Sequence, residues 1–201
     1  MADKETAQQV LKIVKKEGIL RPRDLGRYGI PRVYLSRLCE RGLLQRVNRG
    51  LYVLPEAEQT EHHTLAEACK RIPNGVLCLL SALRFHQITT QAPFEIWMAL
   101  KGTTWHPKVE HPKIRFVRFS GPAFETGIEQ HKIEGVSVKV YNPAKTVADC
   151  FKYRNKIGLD VALESLRECR RERRCTNDDL WEYAKVCRVT KVMRPYMEAM
   201  T

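Results

Sequence analysis

Residues 18–54 read GILRPRDLGRYGIPRVYLSRLCERGLLQRVNRGLYVL, and that order of helix formers, glycines and a hairpin leaves few folds open. Pro22 suits the first position of a short helix over 22–28, with Leu25 as its core contact and Gly29 free to take the positive φ of a tight turn. A further helix is expected over 31–41, stopped by Gly42, with Leu35, Leu38 and Cys39 on one face at i, i+3 and i+4. Two strands follow, 44–47 and 51–54, joined by Asn48-Arg49-Gly50 as a three-residue hairpin loop. Upstream, 3–17 reads as a packing helix with Asp3 as N-cap, Gly18 as stop, and Ala7, Val10, Leu11 and Val14 on one apolar face. Two helices about a glycine turn, then a hairpin, outline a winged helix-turn-helix, which lays one helix in a DNA groove with the hairpin beside it.

The face of the 31–41 helix opposite its leucines gives that outline a chemistry. Val33, Arg37 and Glu40 point away from the core, and Arg32, Tyr34, Ser36 and Arg41 lie on the flanks. Long cations, a hydroxyl and a small apolar group match the edges of the major groove: arginine to guanine, hydroxyl to acceptors, an apolar group to the thymine methyl. The N-terminal part of such a helix goes deepest, so Arg32, Val33, Ser36 and Arg37 are the expected base contacts. Arg46, Asn48 and Arg49 give the wing a cationic tip for phosphates or a minor groove, and Tyr52 is expected to pack. The net charge is +12, of which residues 1–54 carry +7 through 12 Lys and Arg against 5 Asp and Glu. A surplus gathered on this segment favours a polyanionic partner.

The rest of the chain reads as a second domain. An N-terminal domain is expected over 1–55 and a C-terminal one over 64–201, with the polar stretch PEAEQTEHH between them. Residues 64–72 are amphipathic, Pro73-Asn74-Gly75 is a turn, and 76–88 is dense enough in apolar residues to predict a buried helix. Strand patterns follow over 94–100, 113–119 and 136–141. Helices are expected over 143–156, around Val161 to Leu166, from an N-cap at Thr176 through Cys187, and over 191–200. The fold class is therefore α+β: a winged helix-turn-helix, then a domain with a small sheet and several terminal helices.

Catalysis finds no support in the residues. His62-His63 lies in the expected linker, and His106 and His111 stand in a Pro-containing loop rather than at helical metal spacing. Cys169 and Cys175 do not match structural zinc spacing, and no P-loop, GxSxG or GxGxxG is present. Glu95 with Lys101 and Glu134 with Lys139 miss the step of a nuclease E-x-K element. No metal site, cofactor or enzyme activity is expected. Seven scattered cysteines without a CxxC pair suit a reducing cytoplasm, no secretory signal is evident, and no apolar run is long enough to span a membrane. The run RECRRERR over 167–174 ends a helix, where cations suit the dipole. Arg167, Arg170, Arg171, Arg173 and Arg174 form either a solvated helix end or a second polyanion contact, to DNA backbone, RNA or an acidic toxin surface.

The stretch GIPRVYLSRLCERGLLQRVNRGLYVLP resembles the N-terminal winged-helix signature of AbiEi-type antitoxins, with Arg41-Gly42-Leu43-Leu44 at the R-G-x-L step and Arg49-Gly50-Leu51-Tyr52 at the wing. VLCLLSALRFHQI over 76–88 is similar to the family's S-A-L helix, and VSVKVYNPAKTVADCF over 136–151 to its strand and D-P-x-R-T-x-x-D helix, with Asn142 replacing an acidic residue and Lys145 an arginine. The resemblance implies a bacterial regulator of type IV toxin–antitoxin, or abortive-infection, systems in phage defence. Such a protein represses its own operon, and its C-terminal domain counteracts a nucleotidyltransferase-like toxin, directly or indirectly; the helix-turn-helix itself leads us to expect inverted repeats in the double-stranded promoter DNA, one protomer per half-site. The alternative is a winged-helix protein-interaction scaffold that does not bind DNA sequence-specifically. The concentration of positive charge argues against that reading, because a protein-docking winged helix needs no cationic recognition face.

Overall fold

The computed structural model describes residues 2–57, 60–91, 93–105, 109 and 111–200. The fold class is α+β, as expected. The chain packs as two units, Met1–Arg71 with Lys132–Val138, and Ile72–His131 with Lys139–Thr201.

In the first unit, helix α1 spans Ala2–Glu17, so Asp3 lies inside it and is not its cap. Val10, Ile13 and Val14 are buried, and Gly18 ends the helix at φ 68° with its N–H on the Val14 carbonyl at 2.8 Å. Pro22–Tyr28 is a 3-10 helix rather than an α-helix. The Asp24 carboxylate turns back to the Arg21 backbone N–H at 3.0 Å, and the Asp24 N–H bonds the Arg21 carbonyl at 2.9 Å, which tightens the segment to i→i+3 bonding. Gly29 follows at φ 65°. Helix α2 covers Val33–Glu40, two residues later than the expected start. Tyr34 and Leu35 bond back to the carbonyls of Pro31 and Arg32, so a tight turn leads into it. Leu35 and Leu38 are buried beside Val10, Val14, Leu20, Leu25, Ile30 and Leu44.

The hairpin is built from β1, Gln45–Asn48, and β2, Leu51–Val53. Its loop has two residues, not three: Asn48 stays paired with Leu51, and an irregularity between Arg46 and Asn48 absorbs the extra residue. The Asn48 side-chain oxygen accepts the Arg49 N–H at 2.8 Å, and Gly50 takes φ 73°. Leu20 extends the hairpin by exchanging backbone hydrogen bonds with Tyr52 at 2.9 and 3.0 Å. Helix α3, His63–Arg71, completes the run, so His63 opens a helix instead of lying in a linker.

The second unit carries most of a five-stranded sheet of order β5-β4-β3-β7-β6, formed by β3 Val76–Leu77, β4 Ile96–Lys101, β5 Ile114–Phe119, β6 Ile128–Ile133 and β7 Val136–Tyr141. Strand β3 pairs antiparallel with β4 and parallel with β7, and β4 runs parallel to β5. The buried helix expected over 76–88 is instead β3 followed by α4, Leu79–Phe85. Strand β4 starts at Ile96, leaving Phe94 outside it and fully exposed. Glu134 and Gly135 turn the β6–β7 hairpin with φ of 48° and 79°, as a two-residue type I′ loop requires. The tip of that hairpin belongs to the first unit.

After a short α5, Pro122–Glu125, the helices are α6 Pro143–Lys152, α7 Arg154–Ile157, α8 Leu159–Arg171, α9 Asn177–Val186 and α10 Thr190–Ala199. The single helix expected over 143–156 is broken at Tyr153 into α6 and α7. Asn142 caps α6 by accepting the Lys145 N–H at 2.8 Å, and Thr176 caps α9 by accepting that of Asp179 at 3.1 Å. Helix α6 is buried from Ala144 to Phe151 and packs against α4, α8 and α9.

Candidate nucleic-acid interface

The α2 periodicity fixes what faces outward. With Leu35 and Leu38 in the core, Arg32, Val33, Ser36, Arg37, Glu40 and Arg41 are exposed on the outer side and its ends. Val33 is 48% exposed, on the side of α2 away from its leucines. Tyr34 is placed differently from its neighbours. It is half-buried against the first unit's core, and the Arg37 guanidinium lies over its ring at 5.6 Å from the centroid. Tyr34 thus acts as a platform that orients Arg37.

On the β1–β2 hairpin, Arg46 and Arg49 are exposed, while Asn48 is half-buried with its carboxamide oxygen on the Arg49 N–H. Asn48 therefore shapes the loop that presents Arg49. One residue went unrecognised from sequence. Arg71, the last of α3, donates from Nη1 to the Arg49 carbonyl at 3.3 Å, and its buried Nε and Nη2 have no hydrogen-bond partner among the described residues. Burial pulls the Arg71 pKa down from its ordinary value, against the charge of Glu67. No local pattern announces this contact, because its two ends are far apart in the chain.

Two ionic clusters hold this surface's supports in place. Asp24, 7% exposed, pairs with Arg21 at 3.0 Å and Lys70 at 3.2 Å, and Lys70 also reaches Glu17 at 3.2 Å. Arg21 bonds the Lys70 carbonyl as well. Burial pushes the Asp24 carboxyl up, but the Arg21 hydrogen bonds and the Lys70 and Arg21 charges outweigh it and hold the group below the usual carboxylate range. Glu134, at the hairpin tip, accepts from Thr60 N–H at 2.7 Å and Thr60 hydroxyl at 2.9 Å, and meets His63 Nδ1 at 2.6 Å. Burial opposes its ionisation, yet the Thr60 and His63 hydrogen bonds prevail and lower its pKa.

In the second unit the cations of 167–174 are not equivalent. Arg171 is tied to Glu168 at 2.5 Å and Glu172 at 3.2 Å, and Arg170 reaches the Met197 carbonyl at 3.4 Å. Arg167, Arg173 and Arg174 are exposed. A buried pair lies in α6: Lys145 Nζ donates to the Asp149 carboxylate at 2.6 and 2.7 Å and sits over the Tyr141 and Phe119 rings at 4.2 and 4.8 Å. Burial raises the Asp149 pKa against the pull of Lys145, and Cys187 Sγ also lies on its Oδ1 at 3.2 Å. Among the described residues no three His, Cys, Asp or Glu side chains are grouped to hold a metal ion, and no helix is long and apolar enough to cross a membrane. His106 lies outside the described residues.

Residues 8–55 match the family described as "Transcriptional regulator, AbiEi antitoxin", a family of regulators rather than of enzymes. The matched segment holds the α1 core face, the 3-10 turn, α2 and the β1–β2 hairpin, so the AbiEi-type resemblance holds over residues 8–55, and the similarities expected over 76–88 and 136–151 lie outside the match. No curated protein matches the chain.

Proposed function

We propose that the first unit of this AbiEi-type regulator is a sequence-specific DNA reader that represses its own operon. One observation carries the reading: α2 turns Arg32, Val33, Ser36 and Arg37 outward from a leucine core, with the cationic wing hairpin next in the chain. Arg37, steadied on Tyr34, and Arg32 supply bidentate donors for guanine, Ser36 an adaptable hydroxyl, and Val33 an apolar contact for a thymine methyl. Arg41, Arg46 and Arg49 neutralise phosphates, with Asn48 and Arg71 shaping the loop that carries Arg49. An inverted repeat is the expected target, one chain per half-site.

The test is a gel shift on the protein's own promoter fragment at fixed salt. Arg37→Ala should cost about 1–3 kcal/mol and relax base preference at one position. Unchanged affinity and unchanged preference in a correctly folded variant would sink the assignment.

The antitoxin role extends the same proposal, and it rests on the family match. We infer that the chain counteracts a nucleotidyltransferase-like toxin in a type IV system. Co-expression of that toxin with the wild-type chain should restore growth, and continued growth arrest at matched protein levels would refute the role. Exposed Tyr28, Val33 and Leu43, 42%, 48% and 44% accessible, favour a second reading in which the first unit docks a protein. The two readings part on salt: phosphate-driven binding weakens steeply as salt rises, and apolar docking does not.

A further inference from the structure

The turn that closes α8 brings two thiols together. Arg173 and Arg174 donate their backbone N–H groups to the carbonyls of Arg170 at 3.0 Å and Cys169 at 2.9 Å, and Arg173 takes φ 51°. That is a Schellman ending, in which the chain doubles back over the last helical turn. The next residue, Cys175, therefore lands on Cys169, with the sulfurs 2.7 Å apart and both cysteines free. Cys169 is fully buried in the second unit's core, while Cys175 is half-buried and opens toward solvent.

We propose that Cys169 and Cys175 are an oxidation site, a dithiol that a hydroperoxide converts to an intramolecular disulfide across the Arg170–Arg174 turn. The roles of the two sulfurs differ. The hydrogen bond to Cys175, together with burial, keeps Cys169 a thiol. The same hydrogen bond holds the Cys175 pKa down, helped by the Arg170 charge and opposed by burial and Asp179. The Cys175 thiolate attacks one peroxide oxygen, the O–O bond breaks, and the leaving hydroxide takes a proton to become water. Cys175 is then a sulfenic acid. Cys169 sulfur attacks the Cys175 sulfur and expels hydroxide, which accepts the Cys169 proton as a second water. Two thiols are oxidised by two electrons and one peroxide is reduced. Selectivity follows from the rest of the chain: burial raises the pKa of Cys39, Cys78, Cys150 and Cys187, and Cys69 is buried.

The experiment uses the full reduced chain, treated with one equivalent of hydrogen peroxide, quenched with N-ethylmaleimide, and read by intact mass and a non-reduced digest. The wild type should lose two hydrogens and two of its seven thiols, counted with N-ethylmaleimide after denaturation, show a Cys169–Cys175 linked peptide, and recover fully with dithiothreitol. Cys175 should be consumed about ten-fold faster than Cys39, since the Cys169 hydrogen bond lowers the Cys175 pKa while burial raises that of Cys39. In Cys169→Ser, Cys175 should stop at a sulfenic acid trapped by dimedone. Cys175→Ser, altered at the half-exposed position, should form no disulfide at all. A wild type that forms no such link, links between chains instead, or oxidises another cysteine first overturns the proposal, and the wild-type map alone decides this if a variant fails to fold.

Discussion

At Lys145 and Asp149 the chain buries an ion pair, 0% and 2% exposed, where a hydrophobic side chain would ordinarily sit. Such a pair survives because hydrogen bonds and ring faces replace water: both Asp149 oxygens accept from Lys145, and Tyr141 and Phe119 face the ammonium. Breaking it is costly because the surviving charge stays buried. Lys145→Met should lower unfolding free energy by about 3–5 kcal/mol, measured by urea titration. A loss no greater than that of a surface substitution would mean that Asp149 simply takes up a proton. In the first unit, Asp24 and Glu134 both ionise more readily when folded than when unfolded. A carboxyl with a lowered folded pKa contributes stability above its unfolded value, roughly pH 4, and loses it as pH falls through the folded value. Urea unfolding followed from neutral pH downward should therefore show stability draining in that acid range, and Glu134→Gln should flatten the slope. Identical slopes for the two proteins would remove Glu134 from the account.

At the scale of elements, legibility depended on how local the cause was. Helix α2 could be read because Leu35 and Leu38 repeat at the helical period and a glycine follows. The β3–α4 segment could not, because VLCLLSAL is apolar on every side and a short buried strand has the same pattern as a buried helix. Strand β6 leaves no signal in the sequence for the opposite reason: IEQHKI lies at the sheet edge and shows no apolar alternation. The exposed face of α2 was legible from spacing, whereas Tyr34 as a platform and Arg71 behind the wing depend on side-chain packing and on long-range contacts. Two glycines test how the β6–β7 tip packs in the first unit. Both Gly18 and Gly29 have φ near 65°, at 68° and 65°, but a methyl on Gly18 would overlap the Glu134 backbone while one on Gly29 meets nothing. Gly29→Ala should cost only the left-handed penalty of about 1–2 kcal/mol, and Gly18→Ala clearly more, in parallel thermal unfolding. Equal losses would argue that the tip does not press on α1.

Across the whole molecule, charge is the property that separates the functional readings. DNA binding through the first unit predicts that Arg46→Ala and Arg49→Ala each reduce the slope of log affinity against log salt by about 1 without changing base preference. The triple variant Arg167→Ala, Arg173→Ala, Arg174→Ala asks whether the second unit contributes. A slope lowered by about 3 would assign those arginines to phosphates, and an unchanged slope would leave them as a solvated helix end. The first unit is also discontinuous in sequence, since Lys132–Val138 complete what Met1–Arg71 begin. On the ribosome, at roughly 5–20 residues per second, the N-terminal segment emerges several seconds before the hairpin that finishes it. Until then Gly18 lacks its neighbour, and Thr60 and His63 lack their carboxylate. A nascent chain stalled short of Lys132 would expose α2 on an unfinished support, so under the proposed DNA-reading role promoter binding should arise only after Lys132–Val138 have emerged.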